Sequence, residues 1–222
     1  MDKLNDNLSE IMGALLGDGC LSTYWSNSEK TQRYEIAFTG HIGDYKYYES
    51  KIQPVFKQEL GVSGRLFKRG NSTRYHVRSR KTFEFFKKLG VPVGLKKNSK
   101  MEIPKDIAKN SRLTRSFIRG LWATDGSIYR RYSKNYGNQK RVYNYVNLQL
   151  KMKAPELIKQ VDEFLRKDGF KTNAVTQVYG ASVLRITDQK SVKKFAEKIG
   201  FGNQRYEQRF KNLSTEPKAS DS

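Results

Sequence analysis

Cysteine is almost missing from this chain of 222 residues: Cys20 stands alone. A single thiol permits no internal disulfide, and a reducing, intracellular setting is expected, whether a prokaryotic cytoplasm or an organelle. Histidine is equally scarce. His41 and His76, with one cysteine, offer no zinc-finger spacing. Long hydrophobic runs are absent too. The longest, residues 11–16, is broken by Gly13 and is far too short to span a bilayer. No signal peptide is recognisable. Acidic residues are in short supply, 22 against 43 Lys+Arg, for a formal charge of +21. Such an excess attracts polyanions, with nucleic acid the first expectation and an anionic membrane surface the second. No basic amphipathic anchor stands out, so a membrane is not expected as a partner. An aromatic content of 12% argues against a disordered basic tail. The length suffices for one large or two small domains with real cores.

What the chain does have is a repeat. Residues 11–19 read IMGALLGDG and residues 118–126 read IRGLWATDG. In each, a glycine sits five residues before an Asp-Gly pair. Gly13 and Gly120 are 107 residues apart (120 − 13), as are Asp18 and Asp125 (125 − 18). Each segment reads as a helix that delivers one carboxylate from its C-terminal end. That is the negative end of the helix dipole, where an acid is disfavoured by about 0.3–1 kcal/mol. Two such acids side by side also repel each other. A divalent cation between them would turn both penalties into binding energy, because hard cations take carboxylate and carbonyl oxygens. One Asp-Gly is an ordinary helix stop; two at matched positions in a repeat point to a site.

The repeat extends further. Short strands follow at 20–25 and 127–131, then longer ones at 33–39 and 141–151. Amphipathic helices come next at 44–60 and 154–167, stopping at Gly61 and Gly169. Hairpins follow at 65–68 with 74–78 and at 172–178 with 183–187. Helices at 81–91 (KTFEFFKKLGV) and 191–201 (SVKKFAEKIGF) close the two copies, and their likeness supports duplication. The expected fold is α+β, a pseudo-twofold duplication of an αββαββα unit, with halves 1–106 and 107–211 and a disordered tail at 212–222.

Alternation assigns the strand faces. In 141–151, Val142, Val146, Leu148 and Leu150 share one face; Arg141, Tyr143, Tyr145, Asn147, Gln149 and Lys151 share the other. In 33–39, Tyr34, Ile36 and Phe38 oppose Arg33 and Glu35, and in the first hairpin Arg74, His76 and Arg78 oppose Tyr75 and Val77. Bases dominate the polar faces, and Arg, Lys, Asn, Gln and Tyr contact phosphates and base edges. The candidate contacts are thus Ser22, Tyr24, Arg33, Glu35, Arg65, Lys68, Arg74, His76 and Arg78 in the first half. In the second they are Ser127, Tyr129, Arg131, Arg141, Tyr143, Tyr145, Asn147, Gln149, Lys151, Gln177 and Arg185.

The two Asp-Gly segments and the order of elements behind each resemble the LAGLIDADG homing endonucleases of the single-chain, two-motif kind, over residues 7–211. The resemblance implies two antiparallel sheets forming a DNA-binding saddle, with the motif helices packed at the centre. Gly13 and Gly17 would face Gly120, with Ala123 or Thr124 as the second small residue. It implies metal-dependent hydrolysis of one phosphodiester per strand of a long asymmetric double-stranded DNA site, giving a staggered break. Asp18 and Asp125 would bind two or three Mg2+ ions, with Mn2+ able to substitute and the carbonyls of Gly17 and Thr124 joining the coordination. Lys96, in a Gly94-Leu95-Lys96 element, would polarise the water network or the phosphate. The protein would act as a monomer. The alternative within the same fold is an RNA maturase acting on host intron RNA, or a DNA-binding module without cleavage.

Overall fold

The computed structural model describes residues 4–96, 100–131 and 145–215. Helix α1 (Asp6–Gly17) starts at Asn5, whose side chain accepts a hydrogen bond from the Leu8 amide, a standard N-cap. Strand β1 (Gly19–Ser26) and strand β2 (Thr31–His41) follow. The helix expected over 44–60 runs as one helical stretch from 42 to 60, with a π-helical turn at Tyr48–Ile52 between α2 (Tyr45–Tyr47) and α3 (Gln53–Leu60). Pro54 explains the interruption: it has no N–H to give to the carbonyl four residues back. Gly61 ends α3 with a left-handed φ of 67°. The hairpin β3 (Arg65–Arg69) and β4 (Ser72–Arg78) leads to α4 (Arg80–Lys88).

After the short α5 (Lys105–Ala108), α6 (Ser111–Asp125) opens the second copy, capped by Asn110. Then come β5 (Gly126–Arg131), β6 (Tyr145–Met152), α7 (Pro155–Lys167), β7 (Thr176–Val178), β8 (Ala181–Ile186) and α8 (Gln189–Lys198). The strand expected from 172 begins only at Thr176. Residues 172 and 173 are tied instead to α7, where Thr172 hydrogen-bonds Asp162 and Arg166 donates to the Thr172 carbonyl at 3.3 Å. A helix that the repeat did not announce, α9 (Gln204–Thr215), follows. It reaches past residue 212, where a disordered tail was expected.

Both sheets are four-stranded and antiparallel throughout, in the orders β1-β2-β4-β3 and β5-β6-β8-β7. Equal order in both is the structural form of the duplication. One continuous apolar cluster runs through both halves, from Ile11, Leu15 and Phe38 to Trp122, Leu148 and Phe195. Its centre is the α1–α6 contact, the most extensive helix pair among the described residues.

That contact is reciprocal. A Cβ on Gly13 would strike the Phe117 carbonyl oxygen and lie 2.9 Å from the Leu121 nitrogen; one on Gly120 would strike the Glu10 oxygen and lie 2.8 Å from the Ala14 nitrogen. The partners are related by the same 107-residue offset (10 to 117, 14 to 121), as a twofold interface requires. Only glycine lets the two backbones approach this closely. Gly17 faces the Thr124 hydroxyl and the Asp125 carboxylate. Thr124, not Ala123, is therefore the residue across from Gly17. The Ala123 carbonyl accepts a hydrogen bond from Asn203 at 3.1 Å, and its methyl group lies towards Gly202.

Candidate active site and nucleic-acid interface

Asp18 and Asp125 end the two central helices, and the tight glycine contact brings them together. The Asp125 carboxylate lies against the Cα of Gly17, one residue from Asp18. Both acids are mostly buried. Burial is the main cause that lifts Asp18 from the ordinary 3.8 to about 7, with the charges of Asp125 and then Asp44 adding to it. Burial likewise raises Asp125 to about 6, held back by the Lys96 ammonium and by the Thr124 hydroxyl, which donates at 3.4 Å. Asp18 Oδ2 accepts from the Tyr48 hydroxyl at 3.1 Å. Burial and the two neighbouring carboxylates push that phenol well above its ordinary range, so it stays a donor.

Lys96 does not project free into this centre. Its Nζ donates to the carbonyls of Leu15 (2.9 Å), Leu16 (2.9 Å) and Gly17 (2.6 Å), closing the C-terminus of α1. A cation there complements the helix dipole and offsets the acid beside it. Burial lowers its pKa while Asp125 is the first of the charges that hold it up. The Gly17 carbonyl, expected to face a metal, accepts the shortest of these bonds. The single Thr124 hydroxyl proton is shared between Asp125 and the Gly120 and Leu121 carbonyls, which lie 3.3 and 3.0 Å from the hydroxyl oxygen. Asn203, 107 residues beyond Lys96 (203 − 96), holds the matching place in the second half. It donates to the Ala123 carbonyl and, at 2.7 Å, to Asp44 Oδ1. The two ends of the pseudo-twofold are thus chemically unequal: an ammonium on one side, a neutral amide on the other.

Asp44 is a third acid that sequence reasoning passed over. At the start of a helix an aspartate reads as a cap, yet its side chain makes no capping bond. It is 4% exposed, and Asp44 Oδ2, Asp18 Oδ2 and the Tyr48 hydroxyl all converge on the bare Cα of Gly40. Arg205 from the second half pairs with Asp44 at 3.1 Å. Among the described residues, no group of three or more His, Cys, Asp and Glu forms a closed metal cage.

Strand register sorts the expected nucleic-acid contacts. Ser22, Tyr24, Arg33, Glu35, Arg65, Arg74, His76 and Arg78 share one face of the first sheet. Lys68 does not. It pairs with the buried Thr73 on the opposite face, and its ammonium lies 4.3 Å from the centroid of the Tyr45 ring. Arg69, paired with Ser72, takes the groove side instead. In the second sheet Ser127, Tyr129, Arg131, Tyr145, Asn147, Gln149, Lys151 and Arg185 share one face. Gln177 pairs with Ser182 on the other face and donates to its hydroxyl at 2.7 Å; its neighbour Thr176 lies on the Arg185 side. Lys68 is three residues from Arg65 on one strand, and an odd spacing cannot serve a single face. Gln177 is turned away by its pairing with Ser182, one residue out of step with Val183 and Arg185 on the groove side. Glu35 and Asn147 are on the polar face but closed off, at 6% and 3% exposure. Arg141 and Tyr143 lie outside the described residues.

Comparison with known proteins agrees with this geometry. Residues 112–200 match the model of the LAGLIDADG-like domain. The chain is 27% identical over 214 residues to the tRNA-splicing ligase RtcB of Methanopyrus kandleri, covering 87% of this chain but 20% of that protein. The chain therefore spans about one fifth of the length of the curated relative it matches. Among solved structures, I-DmoI in complex with DNA and Mn superposes with a TM-score of 0.63 at 19% identity, over 88% of this chain and 96% of that one. The LAGLIDADG meganuclease I-AabMI bound to uncleaved DNA gives 0.62 at 14% identity, over 95% and 90%. A mutant of I-SmaMI gives 0.67 at 13% identity, also over 95% and 90%. These likenesses are of fold. The second half of the chain thus matches the LAGLIDADG-like domain, and the chain as a whole shares the fold of the solved LAGLIDADG structures.

Proposed function

We propose that the protein is a divalent-metal-dependent DNA endonuclease that holds duplex DNA against its two basic sheet faces and hydrolyses one phosphodiester in each strand, leaving a staggered break. The observation that carries this reading is the meeting of Asp18 and Asp125 at the pseudo-twofold contact of α1 and α6. Solved relatives of the same fold are described in complex with DNA and Mn or Ca.

The donor set suits a hard cation. Each carboxylate has about four lone-pair positions, and one hydrogen bond to each leaves both under-used. Burial raises both acids, and the charge of Asp125 adds to the rise at Asp18, so a divalent ion placed between them relieves both effects. Asp18 and Asp125 would hold it, with carbonyl oxygens at the ends of α1 and α6 within the same neighbourhood. A bound divalent ion supplies an activated water and stabilises charge on the phosphate.

The chain's own groups do the rest. Tyr48 orients the Asp18 carboxylate by donating to it. Lys96 supplies fixed positive charge beside Asp125 and keeps that acid the more readily ionised of the two. The sheet faces bind and orient the backbone of the DNA. Two acids related by the pseudo-twofold allow one cut per strand. The expectation of a monomer follows from both acids residing in one chain.

The test is cleavage of a randomised duplex library in Mg2+, with sequencing of the cut ends, for the wild type, Asp18→Asn and Asp125→Asn. Double-strand cutting by the wild type, and DNA binding without double-strand cutting by each variant, is the expected result. Wild-type cutting rates in both variants would end the proposal, and binding without cutting by the wild type would leave a binding module of the same fold.

A further inference from the structure

The outward face of the first sheet carries one acid among its arginines, and that acid is buried. Glu35 lies on β2 opposite Arg78 and one cross-strand step from His76. Its Oε1 accepts from Arg74 Nη2 at 2.6 Å; its Oε2 lies 3.3 Å from His76 Nδ1 and 3.9 Å from Arg78 Nε. The Glu35 side chain is 8% exposed, whereas Arg74 and Arg78 are 43% and 47% exposed. The carboxylate is beneath and the guanidinium groups are above it, facing outward. Order continues sideways: the His76 ring meets the edge of Phe67 at 5.9 Å, and the Arg65 guanidinium lies 5.6 Å from the Phe67 centroid.

Among the described residues the second sheet has no such acid. Register puts Asn147 where Glu35 stands and Gln149 opposite Arg185. Arg185 is held by neutral acceptors, Gln149 Oε1 at 3.0 Å and Thr176 Oγ1 at 3.1 Å. The two sheets therefore treat their cations differently.

We propose that Glu35 is a positioning residue for sequence recognition: a closed-off carboxylate that fixes the side chains of Arg74, His76 and Arg78 for reading base edges and reduces their attraction for phosphate. This rests on the proposal that the sheets bind DNA. The physical reason is that a bidentate arginine contact discriminates between bases only when its fork is held in one orientation, whereas a phosphate contact tolerates many. A carboxylate under an arginine lowers the entropy lost on forming the base contact. It also removes about one unit of charge from the pool that releases counterions.

The experiment compares wild type, Glu35→Gln and Glu35→Asp by library selection and by salt titration with a random-sequence duplex. For Glu35→Gln, base preference should fall roughly tenfold or more at positions under the first sheet. Preference under the second sheet should stay unchanged. Affinity for random duplex should rise, with a log K against log salt slope steeper by up to about one. Glu35→Asp keeps the charge but shortens the reach, so it should lose preference without gaining random-duplex affinity. Unchanged base preference in both variants, a loss spread evenly over both halves of the site, or loss of fold in both would overturn the assignment. Failure of the wild type to select any duplex would instead overturn the endonuclease reading itself.

Discussion

Replacing Asp18 by asparagine should make the metal-free protein more stable at the same time as it destroys cutting. In the folded state the Asp18 carboxyl titrates at about 7 against an ordinary 3.8. One unit corresponds to about 1.4 kcal/mol, so ionised Asp18 sets the fold back by up to about 4 kcal/mol above pH 7. Partial exposure brings this to roughly 2–4 kcal/mol. The sign follows from linkage. The folded state holds the proton more tightly, so its advantage is complete below about pH 4 and is lost as the pH rises through about 7. Asparagine keeps the shape and can still accept from Tyr48, but never ionises. In EDTA at pH 8, Asp18→Asn should therefore melt roughly 5–15 °C above the wild type, taking about 2–4 °C per kcal/mol for a chain of this size. At pH 4 the two should coincide. Mg2+ should then raise the wild type, by about 2.7 kcal/mol at a hundredfold excess over Kd, and raise the variant far less. Equal or lower melting of the variant at pH 8, or a difference that persists unchanged to pH 4, would refute the claim that buried carboxylate charge is stored here for a cation.

Three further expectations concern other parts of the structure. Gly120→Ala drives a methyl group into the Glu10 carbonyl and should cost about 1–3 kcal/mol in urea unfolding; a change under 0.5 kcal/mol would mean that the helices part freely. Lys96→Met removes the cation that restrains Asp125 at about 6, so the acidic limb of the cleavage pH profile should move to higher pH; an unmoved limb would show that the ammonium only caps α1. Arg69→Ala should flatten the salt dependence of DNA binding by about one unit of slope, while Lys68→Ala, on the other face of the same strand, should leave it alone; the reverse outcome would put the DNA on the wrong side of the sheet.

Much of this architecture could be read along the chain because it is periodic. A glycine five residues before an Asp-Gly pair in each of two helices and strands alternating by twos are local signals, and each one survives in the fold: the order of elements, the strand faces around Arg74, His76 and Arg78, and the acids at the ends of α1 and α6. The misreadings also have local causes. Residue type favours the groove face for Lys68 and Gln177, but Lys68 is out of step with Arg65 on its own strand and Gln177 pairs with Ser182 on the other face. The break in the helix at 48–52 needed the missing N–H of Pro54 to be counted.

What only tertiary structure decided is which distant groups share one small volume. Asp44 and Arg205 are separated by most of the chain, and no period connects them, yet they pair at 3.1 Å beside Asp18. Lys96 is expected from the sequence to polarise the water network or the phosphate; in the fold its ammonium is held by three carbonyls at the end of α1. Sequence fixes the spacing of like elements, because backbone geometry is local. It does not fix the partners of a buried charge, because those depend on how two halves close over it.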